Sequence, residues 1–135
     1  MQPGTEHLTD EQRAQLARAE AIFADADIER SPAEVRAMLE SGTVLLVDVR
    51  ETYEHEAGRI EGARHIELER LAANADSIDR DRPVIFHCRL GSRSAMAAQA
   101  FRAAGYEAYS MAGGLQRWAE EDRPLAPEGG HVADH

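Results

Sequence analysis

Lysine is absent from this chain. All fifteen basic side chains are arginine, against twenty-five Asp and Glu, and the formal net charge is −10. Binding nucleic acid demands a basic footprint, so nucleic acid is excluded as a partner. The missing lysine reads as a compositional bias of the source, and the acidity as a solubility feature. Cysteine occurs once. A lone cysteine cannot close an intramolecular disulfide, which excludes a disulfide-stapled secreted scaffold. No apolar stretch is long enough to span a bilayer, so no membrane association is expected. The opening residues Met1–His7 hold no basic region followed by an apolar run, so no signal peptide is expected. A reducing, cytoplasmic location follows as the expectation. There is no internal repeat, no phosphate-loop or dinucleotide fingerprint and no metal-ligand spacing. Neither a cofactor nor a metal is therefore expected.

What remains is one domain's worth of chain: 135 residues, 43% hydrophobic, enough for a single core. Three segments are expected. Residues 1–27 form an N-terminal extension, disordered over 1–7. Thr9-Asp10-Glu11-Gln12 then opens an amphipathic helix to about Ala24, with Leu16, Ala19, Ile22 and Phe23 on one side. Residues 28–125 form the folded domain. Residues 126–135, with Pro127, Gly129 and Gly130, form a flexible tail. Within the domain, Ile28 marks a short first strand. Ser31-Pro32-Ala33-Glu34 supplies an N-cap, an N1 proline and an N3 glutamate for a helix that Ser41-Gly42 stops. Thr43–Val49 is an apolar run of the kind buried on both faces. A short helix over Glu51–Ala57, a strand over Arg64–Ile66 and a helix over Glu67–Ala75 follow. Val84–His87, Glu107–Ser110 and a last helix over Gly114–Glu121 complete the pattern. Helices alternating with short apolar strands predict an α/β fold, a small parallel β-sheet flanked by helices on both faces.

The chemistry is concentrated in one run. An apolar strand leads into Cys88; Arg89, Leu90, Gly91, Ser92, Arg93 and Ser94 follow, and then an Ala-rich helix. A helix N-terminus carries free N–H groups and a partial positive charge. A tight loop containing glycine can turn its own N–H groups inward as an anion nest. Such a setting favours thiolate over thiol. A buried, inert cysteine is the ordinary alternative, but two Arg, one Gly and two Ser within six residues make an improbable core sequence. Cys88 is therefore expected to be a nucleophile within an anion pocket. Arg89 and Arg93 are expected to bind anion beside it, Arg89 facing outward and Arg93 pairing with an acid. The pocket must capture an anion locally, because the protein as a whole repels one.

The Cys-Arg-Leu-Gly-Ser-Arg-Ser loop resembles the active-site loop of the rhodanese family. Three further segments agree, in family order from about Ile28 to Leu125. Val44–Glu51 resembles the strand ending in Asp-Val-Arg, Gly58–Ala63 the G-H-I-x-G-A segment, and Gly113–Trp118 the G-G-x-x-x-W segment. Arg59 replaces the usual His, and His55 stands where an aromatic is common. Both departures lie away from the Cys loop in sequence.

The resemblance implies a rhodanese-like fold and a two-step sulfur transfer. Cys88 takes the outer sulfur of a small anionic donor such as thiosulfate, or of a persulfide or polysulfide, and holds it as a persulfide. A thiol acceptor, small molecule or protein, or cyanide then removes it. No cofactor is needed. Two other classes stay open: a Cys-based phosphatase or arsenate reductase on the same fold, and a rhodanese-like module that only binds a partner. Only four residues separate Cys88 from Arg93, where the related phosphatases have five, and no carboxylic acid is evident beside the loop. Asp48 and Arg50, with Glu51, are expected to brace the neighbouring loop, and Trp118 to belong to the core. His87 adjoins Cys88, but adjacent strand residues point to opposite faces, so it is not expected to serve as base. His55 and His65 have no evident partner. His131, Asp134 and His135 are expected to remain in the flexible tail.

Overall fold

The computed structural model describes residues 9–11 and 27–135. The disorder expected over residues 1–7 and nearly all of the N-terminal amphipathic helix lie outside the described residues. Five parallel strands make one sheet among the described residues: β1 (Glu29–Arg30), β2 (Leu45–Asp48), β3 (Arg64–His65), β4 (Val84–His87) and β5 (Ala108–Met111). Their spatial order is β1-β5-β4-β2-β3. Four α-helices lie wholly among the described residues: α1 (Pro32–Glu40), α2 (Thr52–Ala57), α3 (Ser92–Ala103) and α4 (Gly114–Glu120).

The central strand shows why the sheet is buried on both faces. All four residues of β4 are buried, and its three apolar residues alternate between two cores. Val84 and Phe86, with Cys88 just beyond, join Ala97, Ala98 and Phe101 of α3. Ile85 points the other way and joins Val35 of α1 and Leu115 and Trp118 of α4. The period of two along a strand makes this division, and the helices cover both faces. Trp118 is a core residue, and its indole N–H donates to the Pro124 carbonyl at 2.8 Å. The start of α1 is capped as expected. Ser31 Oγ accepts from the Glu34 N–H at 3.1 Å, and Glu34 accepts from the Ser31 N–H at 3.0 Å. No helix among the described residues is long and apolar enough to cross a membrane.

Three expectations change. The first strand begins at Glu29, with Ile28 buried just before it. The helix expected over 67–75 is instead two 3-10 segments, Leu68–Arg70 and Ala72–Ser77. Its inward residues, Leu68 with Leu71 and Ala75 with Ile78, are spaced by three, which suits three residues per turn. Asn74 and Ser77 side chains also bond the Arg70 and Asn74 carbonyls, competing with a regular α ladder.

The third change concerns the C-terminal segment, expected as a flexible tail. It lies back along the domain. Ala126 forms an antiparallel bridge with Arg59, and the His131 N–H donates to Ala57 O at 2.9 Å. Val132 packs against the second core, and Tyr53 Oη donates to Asp134 O at 3.0 Å. Gly58 permits this approach, because a side chain there would strike the His131 backbone. Composition marks Pro- and Gly-rich residues as loop, but it carries no record of the distant groups that satisfy their backbone.

Candidate active site

Parallel α/β sheets place sites beyond the carboxyl ends of their strands. Cys88 occupies that position, directly after β4 and under the first turn of α3. The Gly91 N–H points at Cys88 Sγ at 3.0 Å, and the Ser94 N–H at 3.4 Å. Ser94 Oγ is 3.5 Å from the sulfur and 2.8 Å from Ser110 Oγ. Gly91 adopts φ of 109°, a conformation that L side chains avoid, and this turns its N–H inward.

The loop's carbonyls turn the opposite way. Leu115 and Gln116, in the first turn of α4, donate their N–H groups to Cys88 O and Arg89 O at 2.9 and 3.0 Å. Gly113 and Gly114 both have positive φ, and a side chain on Gly114 would strike the Cys88–Arg89 backbone. The paired glycines let one helix end close directly on the loop. With the Cys88 and Arg89 carbonyls held by α4, the Gly91 and Ser94 N–H groups are left to face the thiol, a concavity suited to negative charge.

The two arginines part company. Arg93 forms an ion pair with Glu54 of α2 at 3.1 Å, and Glu54 is wholly buried. Arg89 reaches out and meets Asp134 at 3.4 Å, while its buried Nε has no hydrogen-bond partner among the described residues. Leu90 is 57% exposed at the loop's tip. Arg89, Leu90, Ser92, Arg93 and His135 line a depression of about 100 Å³ above the loop. Cys88 itself is fully covered beneath it. A larger cavity of about 290 Å³ lies between Arg36, Ile60, Trp118 and Leu125 and contains no nucleophile.

Asp48 and Arg50 stand beside this loop, not in it. Both are wholly buried and joined by two side-chain bonds, at 2.9 and 2.6 Å. Arg50 also donates to Gly58 O at 2.7 Å. His55 Nδ1 donates to Asp48 at 2.8 Å, and His65 Nε2 to Arg50 O at 2.7 Å; the two rings stack at 4.5 Å. Thus His55 and His65, which had no evident partner in the sequence, both have one. His87 is buried with Nδ1 3.4 Å from Cys88 O, and its Nε2 has no hydrogen-bond partner among the described residues. That Nε2 lies 3.9 Å from Asp48, and the sulfur's hydrogen-bond partners are Gly91 and Ser94. Burial opposes charge on Asp48, but the Arg50 guanidinium and the hydrogen bonds from Arg50 and His55 outweigh it and hold the carboxyl below its usual range. Burial holds His87 and His55 below the usual imidazole range, so both rings are neutral near pH 7.

Three contributors were not legible in the sequence. Glu54 contradicts the expectation that no carboxylic acid adjoins the loop; it is there, but committed to Arg93. Ser110 supports Ser94, and its one signal was a hydroxyl within the otherwise apolar-facing strand β5. Glu51, Glu54 and His135 bring potential metal-ligand atoms within 4.8 Å of one another, an arrangement invisible in sequence spacing.

Residues 31–121 match the rhodanese-like domain family. A "Sulfurtransferase" of Allochromatium vinosum is 35% identical over 88 residues, covering 64% of this chain and 82% of that protein. An "Uncharacterized protein YqhL" of Bacillus subtilis is 43% identical over 74 residues, 54% of this chain. The match spans 59% of that relative's length. A rhodanese-related protein from Thermoplasma volcanium shares the fold at TM-score 0.69 and 26% identity, over 73% of this chain and 96% of that one. A Rhodopseudomonas palustris protein described as a "Possible Tyrosine Phosphatase" has TM-score 0.66 at 24% identity, over 93% of this chain and 99% of that one; this shows the fold alone. The parallel sheet, the loop after β4 and the match over residues 31–121 lead to one conclusion: the chain belongs to the rhodanese-like domain family.

Proposed function

We propose that this protein is a sulfurtransferase that carries sulfane sulfur on Cys88. The observation that carries the proposal is the pair of N–H groups, from Gly91 and Ser94, that converge on Cys88 Sγ. They stabilise negative charge on the sulfur that attacks and on the persulfide that results. In the first step the Cys88 thiolate bonds the outer sulfur of the donor. The donor's S–S bond breaks, and its electrons leave on sulfite or on a donor thiolate. In the second step a thiol or cyanide attacks the outer sulfur of the persulfide, and the Cys88 thiolate is restored. Thiosulfate and persulfides are the donor classes, a small-molecule or protein thiol is the acceptor class, and the site is expected to work in a reducing cytoplasm without a cofactor.

Phosphate chemistry is less well served. The short loop between Cys88 and Arg93 leaves little room for in-line attack on a tetrahedral group. Glu54, the carboxylate adjoining the loop, is tied to Arg93 and is not free to protonate a leaving group. A purely binding module would need no N–H groups aimed at a thiol. The test is intact-mass analysis after incubation with thiosulfate or a persulfide. A gain of one sulfur atom, lost again on adding cyanide or a thiol and absent in Cys88→Ser, is the expected result. Aryl-phosphate hydrolysis that disappears in Cys88→Ser, with no sulfur adduct, would replace the proposal with phosphatase chemistry.

A further inference from the structure

The segment expected as a free tail crosses the mouth of the Cys88 loop. Asp134 engages Arg89 at 3.4 Å, and its backbone carbonyl accepts from Tyr53 Oη at 3.0 Å. His135 forms one wall of the depression above the loop. The segment is anchored away from the site as well, by the His131–Ala57 bond and by Val132 in the second core. Gly58 has an extended backbone, with φ of −179°, so its conformation does not call for glycine. The close approach of His131 does.

We propose that residues 131–135 are a strap that sets donor specificity, with Asp134 as its determinant. The inference rests on the sulfurtransferase reading of the same site. Arg93 is already neutralised by buried Glu54. With Arg89 engaged by Asp134, both guanidiniums at the loop face a carboxylate. A thiosulfate dianion must displace or approach the Asp134 carboxylate to use Arg89. A persulfide group brings at most one negative charge at its reacting end and meets less opposition there. The overall charge of −10 acts in the same direction. The strap therefore tilts the site toward persulfide donors.

Full-length Asp134→Asn tests this. Asp134 is 97% exposed at its side chain, so the change removes charge without disturbing a core. Cys88 is alkylated with iodoacetate, an anion, and with iodoacetamide, its neutral counterpart. The ratio of the two rates cancels the intrinsic reactivity of the thiol. In Asp134→Asn the ratio should rise by about threefold to fivefold at low salt, the scale of one exposed charge pair, and the rise should fade in high salt. The thiosulfate-to-persulfide ratio of kcat/KM should rise with it. Gly58→Ala, which acts on the strap from outside the loop, should move both ratios the same way. An unchanged alkylation ratio in Asp134→Asn overturns the strap, as does equal resistance of wild type and variant to both reagents. If the alkylation ratio rises but no donor gives a sulfur adduct, the strap stands and the sulfurtransferase proposal fails. If sulfur transfer is normal but the alkylation ratio is unchanged, the sulfurtransferase proposal stands and the strap fails.

Discussion

Asp48 and Cys88 sit at the carboxyl ends of neighbouring strands, where Asp48 of β2 pairs in register with His87. Their surroundings are built from different material. Around Asp48 the groups are charged or ionisable side chains, Arg50, His55 and His87, packed largely out of contact with water. Around Cys88 the sulfur's hydrogen-bond partners are the backbone N–H groups of Gly91 and Ser94 and the Ser94 hydroxyl. The charged side chains, Arg89 and Arg93, stand at the rim. A buried ion pair costs desolvation and holds shape only while complete. Backbone dipoles cannot be lost by deprotonation and stay aligned while the loop changes charge. The Asp48 cluster ties neighbouring strand ends together through side chains, and in the proposed function the chemistry falls to the Cys88 loop.

The sharpest way to break the comparison is Cys88→Ser. If the loop alone performs the chemistry, this near-isosteric change abolishes sulfur transfer and leaves the fold intact. Retention of a substantial fraction of turnover, with an unchanged circular dichroism spectrum, would show that the nucleophile lies elsewhere. Arg50→Met makes the opposite prediction. It strands the Asp48 carboxylate in the core, at a cost of about 3–5 kcal/mol in unfolding free energy. Chemical denaturation measures this. The double variant with Asp48→Asn should recover part of the loss, because no unpaired charge is then buried. Loss of equal size in the double variant would mean that the pair matters as packing volume alone.

The difference between the two clusters also explains what was legible. The Cys88 loop is continuous in sequence, so its thiol, turn glycine and helix N-terminus could be placed by local rules. The strands were legible for the same reason: Val84–His87 is a short apolar run bounded by Pro83 and the loop. What escaped depends on residues brought together from far apart. Glu54 and Arg93 are 39 positions apart, and Tyr53 and Asp134 are 81 apart. No periodicity records such meetings. The stretch after Glu67 failed for another reason, since spacings of three and four are easily confused over a few residues. Gly58 was noticed as part of a motif, yet its role as a seat for the His131 backbone needed the fold.

Acidification should act first on the Asp48 cluster. His87 is neutral and buried, with its affinity for protons held below the ordinary value of 6.5. Once unfolded, it takes up a proton as pH falls through that value, and the folded form does not. Stability is thus fully present above that pH and is lost as pH falls below it, with a slope of at most about 1.4 kcal/mol per pH unit from this ring. Asp48 adds a second loss at lower pH. Its carboxyl is held below its ordinary 3.8, so the contribution fades as pH falls through and beneath that value. Urea midpoints across pH should be level above neutrality and decline in these two windows. His87→Gln should reduce the slope in the first window, leaving the share of His55, which burial also holds below its ordinary value. An unchanged slope would assign that window to other groups.

The smallest effect should come from the group that joins the loop to the sheet. Ser110 lies on β5 beside β4, and its hydroxyl meets that of Ser94 at 2.8 Å, both side chains being buried. Ser94 in turn supplies an N–H and a hydroxyl near Cys88 Sγ and donates to Gly91 O at 3.2 Å. Ser110→Ala removes one partner of Ser94 but leaves it the Gly91 carbonyl. The cost should be about 1 kcal/mol, the net worth of a neutral hydrogen bond. If the sulfur is held mainly by backbone, sulfur transfer should fall by no more than about fivefold, because the Gly91 and Ser94 N–H groups stay in place. A loss of activity far beyond the loss of stability would mean that the hydroxyl pair tunes the sulfur directly. The loop would then depend on side chains much as the Asp48 cluster does, and the contrast between the two ends would narrow to one of charge.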